Sequence, residues 1–289
     1  MGQDKPLSQT HADLLDEATD KLGDTGCETP KLDARLLLQH VCHVEHAGLI
    51  SRMDELASTA DAEAFFHLIE MRATGCPVHR IIGHREFYGH SFKLSPDTLE
   101  PRPDTECLIE RVLADRLEFG LSPHFVDVGT GSGAIAISLL KALPEAKAVA
   151  SDISIKALET AKLNANALGV SQRIEFVQSN YLEGLKGPFD FLVSNPPYIV
   201  SAEITKLERE VRDWDPSIAL DGGGDGLDAY RAILRSAGSV LKRGGKLYLE
   251  IGYDQVTDLQ ALSVFYSLKF DGLIHDLGGQ PRVVVLISR

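Results

Sequence analysis

A short polar segment, Asn195-Pro196-Pro197-Tyr198, follows an apolar run that predicts a buried strand, Phe189–Ser194. Two consecutive prolines restrict the backbone and remove two N–H donors, which leaves nearby carbonyl groups free to accept hydrogen bonds. Asn195 can accept through its side-chain oxygen and Pro196 through its main-chain oxygen, with the ring of Tyr198 against the face of a planar group. Such acceptors would hold both hydrogens of one –NH2 group and aim its lone pair at an electrophile. The segment therefore predicts alkylation of a planar nitrogen; a turn that merely ends a strand is the alternative.

A second chemical signal is the glycine-rich turn Gly129-Thr130-Gly131-Ser132-Gly133. Glycines suit this turn because a Cβ would block a ligand lying over it, and because tight turns visit positive φ. The spacing differs from the G-x-G-x-x-G of dinucleotide-binding folds, and no P-loop lysine follows. A ligand-binding turn is thus predicted, and a strand-to-helix turn without a ligand stays open for this segment taken alone.

Two acids lie at the ends of the strands around this turn. Asp127 would repel a phosphate there and would tolerate a cationic ligand. Asp152 follows Gly133 by 19 residues, where a carboxylate can accept from both hydroxyls of a ribose. A nucleoside that carries positive charge and lacks a pyrophosphate fits these positions better than NAD. We therefore predict S-adenosylmethionine, with its sulfonium, as the cofactor.

The elements that must position these residues alternate between strand and helix after Ser122, which is typical of an α/β fold with a doubly wound, mostly parallel sheet. The predicted helices are Gly133–Ala142, Ile155–Leu168 and Ala229–Leu241. The predicted strands are His124–Val128, Ala146–Ser151, Ile174–Gln178, Phe189–Ser194, Lys246–Ile251, Tyr266–Phe270 and Arg282–Ile287.

The chain before this region has a different pattern. Apolar residues such as Leu7, Leu14 and Leu22 recur at helical spacing, and residues 1–75 are predicted to form a helical substrate-recognition domain. Alternating residues around Gly83 and Gly89 predict a β-hairpin in a linker over residues 76–104. Residues 105–289 are the predicted catalytic domain.

Composition limits the partners of the protein. Lys and Arg total 29 against 42 Asp and Glu, and the net charge of −13 argues against stable nucleic-acid binding. No apolar run is long enough to span a membrane, and the N-terminus does not resemble a signal peptide. The four cysteines form no C-x-x-C pair, and no metal site is predicted. We expect a cytoplasmic protein.

The order of these motifs resembles that of class I methyltransferases acting on planar nitrogen, which modify adenine, guanine or protein glutamine. Three further segments are similar to the HemK, or PrmC, release factor glutamine methyltransferase family, and the resemblance covers nearly the whole chain. They are Ile82-Gly-His-Arg-Glu-Phe-Tyr-Gly, Pro101-Arg-Pro-Asp-Thr-Glu and Asp221-Gly-Gly-Gly-Asp-Gly-Leu. The resemblance implies a Rossmann-like, mostly parallel seven-stranded sheet, with a small N-terminal helical bundle and a β-hairpin linker.

The resemblance also implies a role for each matching residue. The cofactor loop falls on Gly129–Gly133, the ribose-binding acid on Asp152, and the aromatic beside the adenine on Tyr181. Asn180 replaces a usual Asp and can still accept from the adenine amino group, and Asn195 borders both cofactor and substrate. Glu100 replaces a common Ile without a sequence-level explanation. Site residues implied for substrate are Asn195, Pro196, Pro197 and Tyr198; those for cofactor are Asp127, Gly129, Thr130, Gly131, Ser132, Gly133, Asp152, Asn180, Tyr181 and Asn195.

The implied product is N5-methylglutamine in the Gly-Gly-Gln motif of class I peptide-chain release factors, which makes these the expected partners. Two other substrates stay open, a ribosomal-protein glutamine and a nucleic-acid amine. Two other functions are a non-catalytic nucleoside-binding module and an NAD oxidoreductase. The chain has its own Gly278-Gly279-Gln280, for which a turn before the last strand is favoured over self-methylation.

Overall fold

The computed structural model describes residues 9–289, and the chain divides into two compact units, Met1–Gly83 and His84–Arg289. Leu7, which the sequence assigned to the first helix, lies outside the described residues. Within residues 9–289, no helix is both long enough and apolar enough to cross a bilayer.

The first unit is helical, as predicted. Thr10 begins the first helix with a capping box, in which its hydroxyl accepts from the Asp13 N–H and the Asp13 carboxylate accepts from the Thr10 N–H. Leu14, Leu37 and Phe65 are fully buried in the core that the helices share. The helices are α1 (His11–Asp24), α2 (Pro30–Cys42), α3 (His46–Ile50), α4 (Thr59–Ala73) and α5 (Val78–Ile82).

The second unit begins with the predicted hairpin, β1 (His84–Phe87) and β2 (His90–Lys93), which are antiparallel. The connecting residues Tyr88 and Gly89 have φ of +48° and +72°, as a two-residue hairpin turn of the favoured twist requires. The alternating residues around Gly83, from Arg80 to Gly83, were predicted to belong to this hairpin, and that part of the prediction was wrong. Those residues belong to α5 and to its C-cap Gly83, whose φ of +84° ends the helix in the left-handed region.

A seven-stranded sheet forms the centre of the second unit, in the order β5-β4-β3-β6-β7-β9-β8. All seven predicted strands are present, and β9 runs antiparallel to both of its neighbours. The prediction for β7 missed its first residues, because a register shift against β6 lets the strand begin at Leu241. The strands are β3 (His124–Val128), β4 (Lys147–Asp152), β5 (Ile174–Gln178), β6 (Phe189–Ser194), β7 (Leu241–Glu250), β8 (Leu268–His275) and β9 (Pro281–Ser288).

Helices cover both faces of this sheet. Alternate residues of β3 enter different cores: Phe125 packs with Phe191 and Ile137 on one face, and Val126 packs with Tyr230 on the other. The helices are α6 (Glu106–Ala114), α7 (Ala134–Ala142), α8 (Ile155–Ala167), α9 (Arg209–Arg212), α10 (Asp228–Val240) and α11 (Val256–Phe265), with short 3₁₀ turns that include Pro103–Thr105.

The chain reverses its direction of travel across the sheet between β3 and β6. It builds outward from β3 through β4 to β5, then returns to place β6 on the other side of β3. Such a switch point opens a crevice at the carboxyl ends of the strands. Val128 of β3 is paired with Ser194 of β6, so the glycine-rich turn and Asn195 leave the sheet side by side.

The buried side chain of Asn164 on α8 ties the hairpin to the glycine-rich turn. Its Oδ1 accepts from the Lys93 N–H at 2.8 Å, and its Nδ2 donates to the Lys93 carbonyl at 3.1 Å and to the Ser132 carbonyl at 2.8 Å. Three backbone groups therefore depend on one amide.

We predict that Asn164→Ala lowers the free energy of unfolding by about 2–4 kcal/mol, because it leaves buried N–H and C=O groups without partners. Chemical denaturation measures the change. Asn166→Ala, at an exposed position of the same helix, is the control and should stay within about 0.5 kcal/mol of the unsubstituted protein. Equal losses in the two variants would contradict this role for Asn164.

Candidate active site

The glycine-rich turn is held to the neighbouring strand by its own backbone. The N–H groups of Gly129 and Thr130 both donate to the carbonyl of Ser151 on β4, at 2.8 and 2.9 Å. Gly129, Gly131 and Gly133 have φ of +72°, +56° and +83°. A Cβ built on Gly129 or Gly131 meets nothing within 4 Å, so the space above this part of the turn is open. The turn thus forms a cradle that side chains would fill.

Asp127 lies beneath this cradle. It is fully buried, and its Oδ2 accepts from the Thr130 hydroxyl at 2.7 Å and from the Ala136 N–H of α7 at 3.2 Å. Burial raises the pKa of Asp127 to about 7, although both hydrogen bonds oppose this shift. Asp127 therefore fixes the turn and the start of α7, and it does not face the cavity.

Asp152 at the end of β4 does face the cavity. Its Oδ2 accepts from the Gly131 N–H and its Oδ1 from the Ser154 N–H, both at 2.9 Å. Burial raises the pKa of Asp152, against these backbone hydrogen bonds. Its carboxylate is thereby held in one orientation beside the cradle, with room to accept further hydrogen bonds.

Asn180 and Tyr181 follow β5 at the same edge of the sheet. Tyr181 has φ of +53°, which is uncommon for a residue with a side chain, and its carbonyl accepts from the hydroxyl of Ser179 at 3.1 Å. Asn180 is exposed and donates from Nδ2 to Glu183 at 3.2 Å. Its Oδ1 is consequently turned away from Glu183 and is available as an acceptor.

The Asn195-Pro196-Pro197-Tyr198 segment lies across from the cradle. Asn195 Nδ2 donates to Thr105 Oγ1 at 3.2 Å. Within residues 9–289, neither Asn195 Oδ1 nor the Pro196 carbonyl accepts a hydrogen bond. Two acceptors of the predicted kind are therefore present and free.

The backbone of Tyr198 is clamped by chain that is distant in sequence. Its carbonyl accepts from Gln255 Nε2 at 3.1 Å. A Cβ on Gly222 would lie 2.8 Å from Tyr198 Cα, and a Cβ on Gly226 would lie 2.5 Å from the Tyr198 carbonyl oxygen. Gly222 and Gly226 are thus required by their close approach to Tyr198. Sequence reasoning missed Gln255, for which no motif gave a signal.

Residues before α6 form another wall of the cavity, which the sequence suggested only as linker. Buried Glu100 lines it and accepts from Arg85 of β1 at 3.0 Å, which accounts for an acid at this position. Arg102 also lines the cavity and pairs with the buried Asp215 at 2.7 Å.

Most of the residues predicted for the site meet in this one cavity. Those that do not line it are the buried Asp127, Gly133 at the end of the turn, Pro196 and Tyr198. The predicted residues that line it are Gly129, Thr130, Gly131, Ser132, Asp152, Asn180, Tyr181, Asn195 and Pro197.

Comparison with known proteins supplies an independent view of this arrangement. A release factor glutamine methyltransferase from Bradyrhizobium diazoefficiens is 46% identical over 267 residues, covering 91% of this chain and 90% of its own. The one from Moorella thermoacetica is 45% identical over 277 residues, covering 95% and 97%. Two families match in order: "PrmC N-terminal domain" over residues 13–83 and "Methyltransferase small domain" over residues 105–210.

The fold has solved relatives as well. A methyltransferase structure from Pyrococcus furiosus shares 17% identity with a TM-score of 0.51, and the match covers 68% of this chain and 88% of that one. The predicted class I methyltransferase fold is confirmed.

We predict that alanine at two glycines of the turn affects stability and cofactor affinity in opposite proportions. Gly131→Ala should cost about 1 kcal/mol of stability for its positive φ and should weaken S-adenosylmethionine binding at least about tenfold, because the new Cβ enters the open cradle. Gly133→Ala should lower the stability more, by roughly 2–3 kcal/mol, and should weaken S-adenosylmethionine binding less than Gly131→Ala does. A Cβ there lies 2.8 Å from Ile137 Cδ1 and 3.2 Å from Ala161 Cβ. Calorimetry and thermal unfolding measure both; the reverse ranking would contradict the geometry.

From the raised pKa of Asp127 we predict that the free energy of unfolding depends on pH. The native carboxyl keeps its proton up to about pH 7, whereas the unfolded one loses it near 3.8. The native state therefore binds more protons between these values, and this contribution to stability is present below pH 3.8 and is lost as pH rises through 7. A shift of this size corresponds to at most roughly 4 kcal/mol. Asp127→Asn should remove this part of the slope in urea titrations from pH 4 to 8; an unchanged slope would contradict it.

Proposed function

The chain belongs to the release factor glutamine methyltransferase family, and from this premise we propose its reaction. It transfers a methyl group from S-adenosylmethionine to the side-chain amide nitrogen of the glutamine in the Gly-Gly-Gln motif of class I peptide-chain release factors. The observation that carries this proposal is the pair of free acceptors, Asn195 Oδ1 and the Pro196 carbonyl, in the segment that directly follows β6, the strand paired with β3.

The residues around the cradle fit S-adenosylmethionine, which supplies an electrophilic methyl group on its sulfonium. The open space above Gly129 and Gly131 admits a ligand against the backbone. The oriented carboxylate of Asp152 would accept from the ribose hydroxyls, the ring of Tyr181 would lie beside the adenine, and Asn180 would accept from its amino group. Asp127, beneath the turn, would hold this arrangement without contacting the ligand.

Asn195 and Pro196 act on the other reactant. The two oxygens accept the two hydrogens of the glutamine amide, which fixes the plane of that amide and draws the nitrogen lone pair out of conjugation with the carbonyl. Holding two reactants in such an orientation can remove roughly 7–11 kcal/mol of barrier. The acceptors also stabilise the positive charge that develops on nitrogen as it takes the methyl group, and one amide proton then passes to water.

The division of labour along the chain is part of the proposal. Residues 1–75 would recognise the release factor, residues 76–104 would link, and residues 105–289 would carry out the transfer. The match of the PrmC N-terminal domain to residues 13–83 supports a dedicated first domain. Release factors work at ribosomes, and we accordingly place the reaction in the cytoplasm.

Two other substrates use the same chemistry. A ribosomal-protein glutamine presents the same amide, and a nucleic-acid base presents a comparable amine, although the net charge of −13 disfavours a nucleic acid. Incubation with labelled cofactor and either purified release factor, ribosomal protein or DNA separates the three. We expect label on the release factor glutamine alone, located by mass spectrometry, and label on either other substrate but not on the release factor would refute the proposal.

We predict that Asn195→Ala lowers the methylation rate of the release factor by about 10²–10³-fold, as the loss of one oriented polar partner does elsewhere. Cofactor affinity should fall much less, because Asn195 acts mainly on the substrate amide. Single-turnover assays and calorimetry measure the two quantities, with the exposed Asn166→Ala as control. Near-normal turnover in Asn195→Ala would exclude this mechanism.

A further inference from the structure

A buried carboxylate that the reaction above does not use lies next to Asn195. Glu250 is the last residue of β7, and because Leu249 is paired with Ser194, Glu250 comes level with Asn195 at the edge of the sheet. Its side chain is only 1% exposed, and its Oε2 has no hydrogen-bond partner within the described chain. Burying an acid with an unsatisfied oxygen is costly, so its presence needs a reason.

Thr105 connects this acid to the site. It is the N-cap residue of α6, a position at which a threonine hydroxyl ordinarily accepts from the helix backbone, yet its side chain makes no capping bond. The hydroxyl accepts from Asn195 Nδ2 instead, at 3.2 Å. Hydrogen bonding by Thr105 and Asn195 in turn favours the ionised form of Glu250. The Thr105 hydroxyl therefore contacts the active site and not the backbone of the helix.

These contacts have a direction. An ionised carboxylate can only accept hydrogen bonds, so an ionised Glu250 orients the single hydrogen of the Thr105 hydroxyl toward itself. The oxygen of that hydroxyl is then an acceptor, which suits the Nδ2 of Asn195. The two ends of a primary amide differ only in hydrogen-bonding character, and binding Nδ2 here turns Oδ1 toward the cavity.

We propose that Glu250 is a positioning residue, whose carboxylate acts directly and through Thr105 to hold the Asn195 amide with its oxygen facing the substrate. The proposal rests on the function proposed above and deepens it. With the amide reversed, Nδ2 would meet the N–H of the substrate glutamine, and two donors would oppose each other. Glu250 therefore selects the productive one of two orientations that have the same shape.

Protonation of Glu250 would remove this selection. Burial raises the pKa of Glu250 to about 7, while hydrogen bonding by Thr105, the charge of Arg282 and hydrogen bonding by Asn195 oppose the shift. Above this value the carboxylate only accepts; below it the carboxyl can donate to Thr105 and reverse the chain of hydrogen bonds. The methylation rate should therefore rise with pH through about 7.

The ionisable groups facing Glu250 are Arg282 from β9, Asp104 from the 3₁₀ turn, Cys107 from α6, Tyr198 from the substrate segment and Tyr230 from α10.

The test is the single-turnover methylation rate of full-length variants across pH 6–9, with saturating release factor and cofactor. Glu250→Gln keeps the shape but can donate or accept, so both orientations of Asn195 become accessible. We expect a rate about 10-fold to 100-fold lower than that of the unsubstituted enzyme above pH 8. The rise through pH 7 should disappear, and calorimetry should show unchanged affinity for S-adenosylmethionine. Glu159→Gln, an exposed acid on α8, is the control for charge removal.

Thr105 gives a second, independent arm. Thr105→Val should lower the rate as Glu250→Gln does, Thr105→Ser should restore most of it, and the double variant should lose little more than either single one, because both act through one chain of bonds. An unchanged pH profile in Glu250→Gln, an unaffected Thr105→Val, or additive losses would each overturn the proposal. An unsubstituted enzyme that leaves the release factor unlabelled would instead refute the proposed function, so the two failures are distinguishable.

Discussion

The parallel pairing of β3 with β6 is the constraint on which the site depends. These strands are far apart in the sequence, yet Val128 and Ser194 lie opposite each other at the switch point of the sheet. This pairing sets the spacing between the two segments that leave the sheet here. The glycine-rich turn leaves from β3, and Asn195 and Pro196 leave from β6. The Ser194 hydroxyl donates to the Val128 carbonyl at 2.6 Å, which fastens the strand ends together at the point where the chain departs. Under the proposed function, this backbone pairing sets the distance between the two bound reactants.

Three acids, two of them buried and one partly buried, lie around that edge, and each has a different role. Asp127 organises the turn from below, and Asp152 is presented to the cavity by two backbone N–H groups. Glu250 lies beside the side-chain amide of Asn195. All three have raised pKa values because burial disfavours their charge. Two retain an oxygen without a partner in the described chain. Departures of this kind from the usual rule that buried polar groups are satisfied concentrate where a protein gives up stability for function.

The sequence predicted those parts of the protein that local patterns encode. The glycine-rich turn, Asn195-Pro-Pro-Tyr and the seven strands each carry a signal within a few residues, so fold and cavity followed. Contacts between distant segments carry no such signal. Gln255 clamps Tyr198, Arg85 pairs with Glu100, and Thr105 contacts Asn195; each becomes visible only when the sheet brings its elements together. Thr105 gave no signal of a role in the site, because a threonine at the start of a helix is typical of an N-cap, whereas its hydroxyl contacts Asn195. Residues 80–83 were misread because a short helix ended by Gly83 has too few residues to show a period.

The position of the antiparallel strand β9 in the sheet has a consequence for how the enzyme folds. Val283 pairs with Glu250, and Arg282 reaches back to Asp104 beside the site, so the wall behind Asn195 is complete only when β9 has inserted between β7 and β8. Most of the catalytic unit must leave the ribosome before that insertion can happen, and contacts of such sequence separation close slowly. A nascent chain would therefore hold its cofactor cradle well before it could orient a substrate, and catalytic competence would arrive as a late, cooperative step of folding.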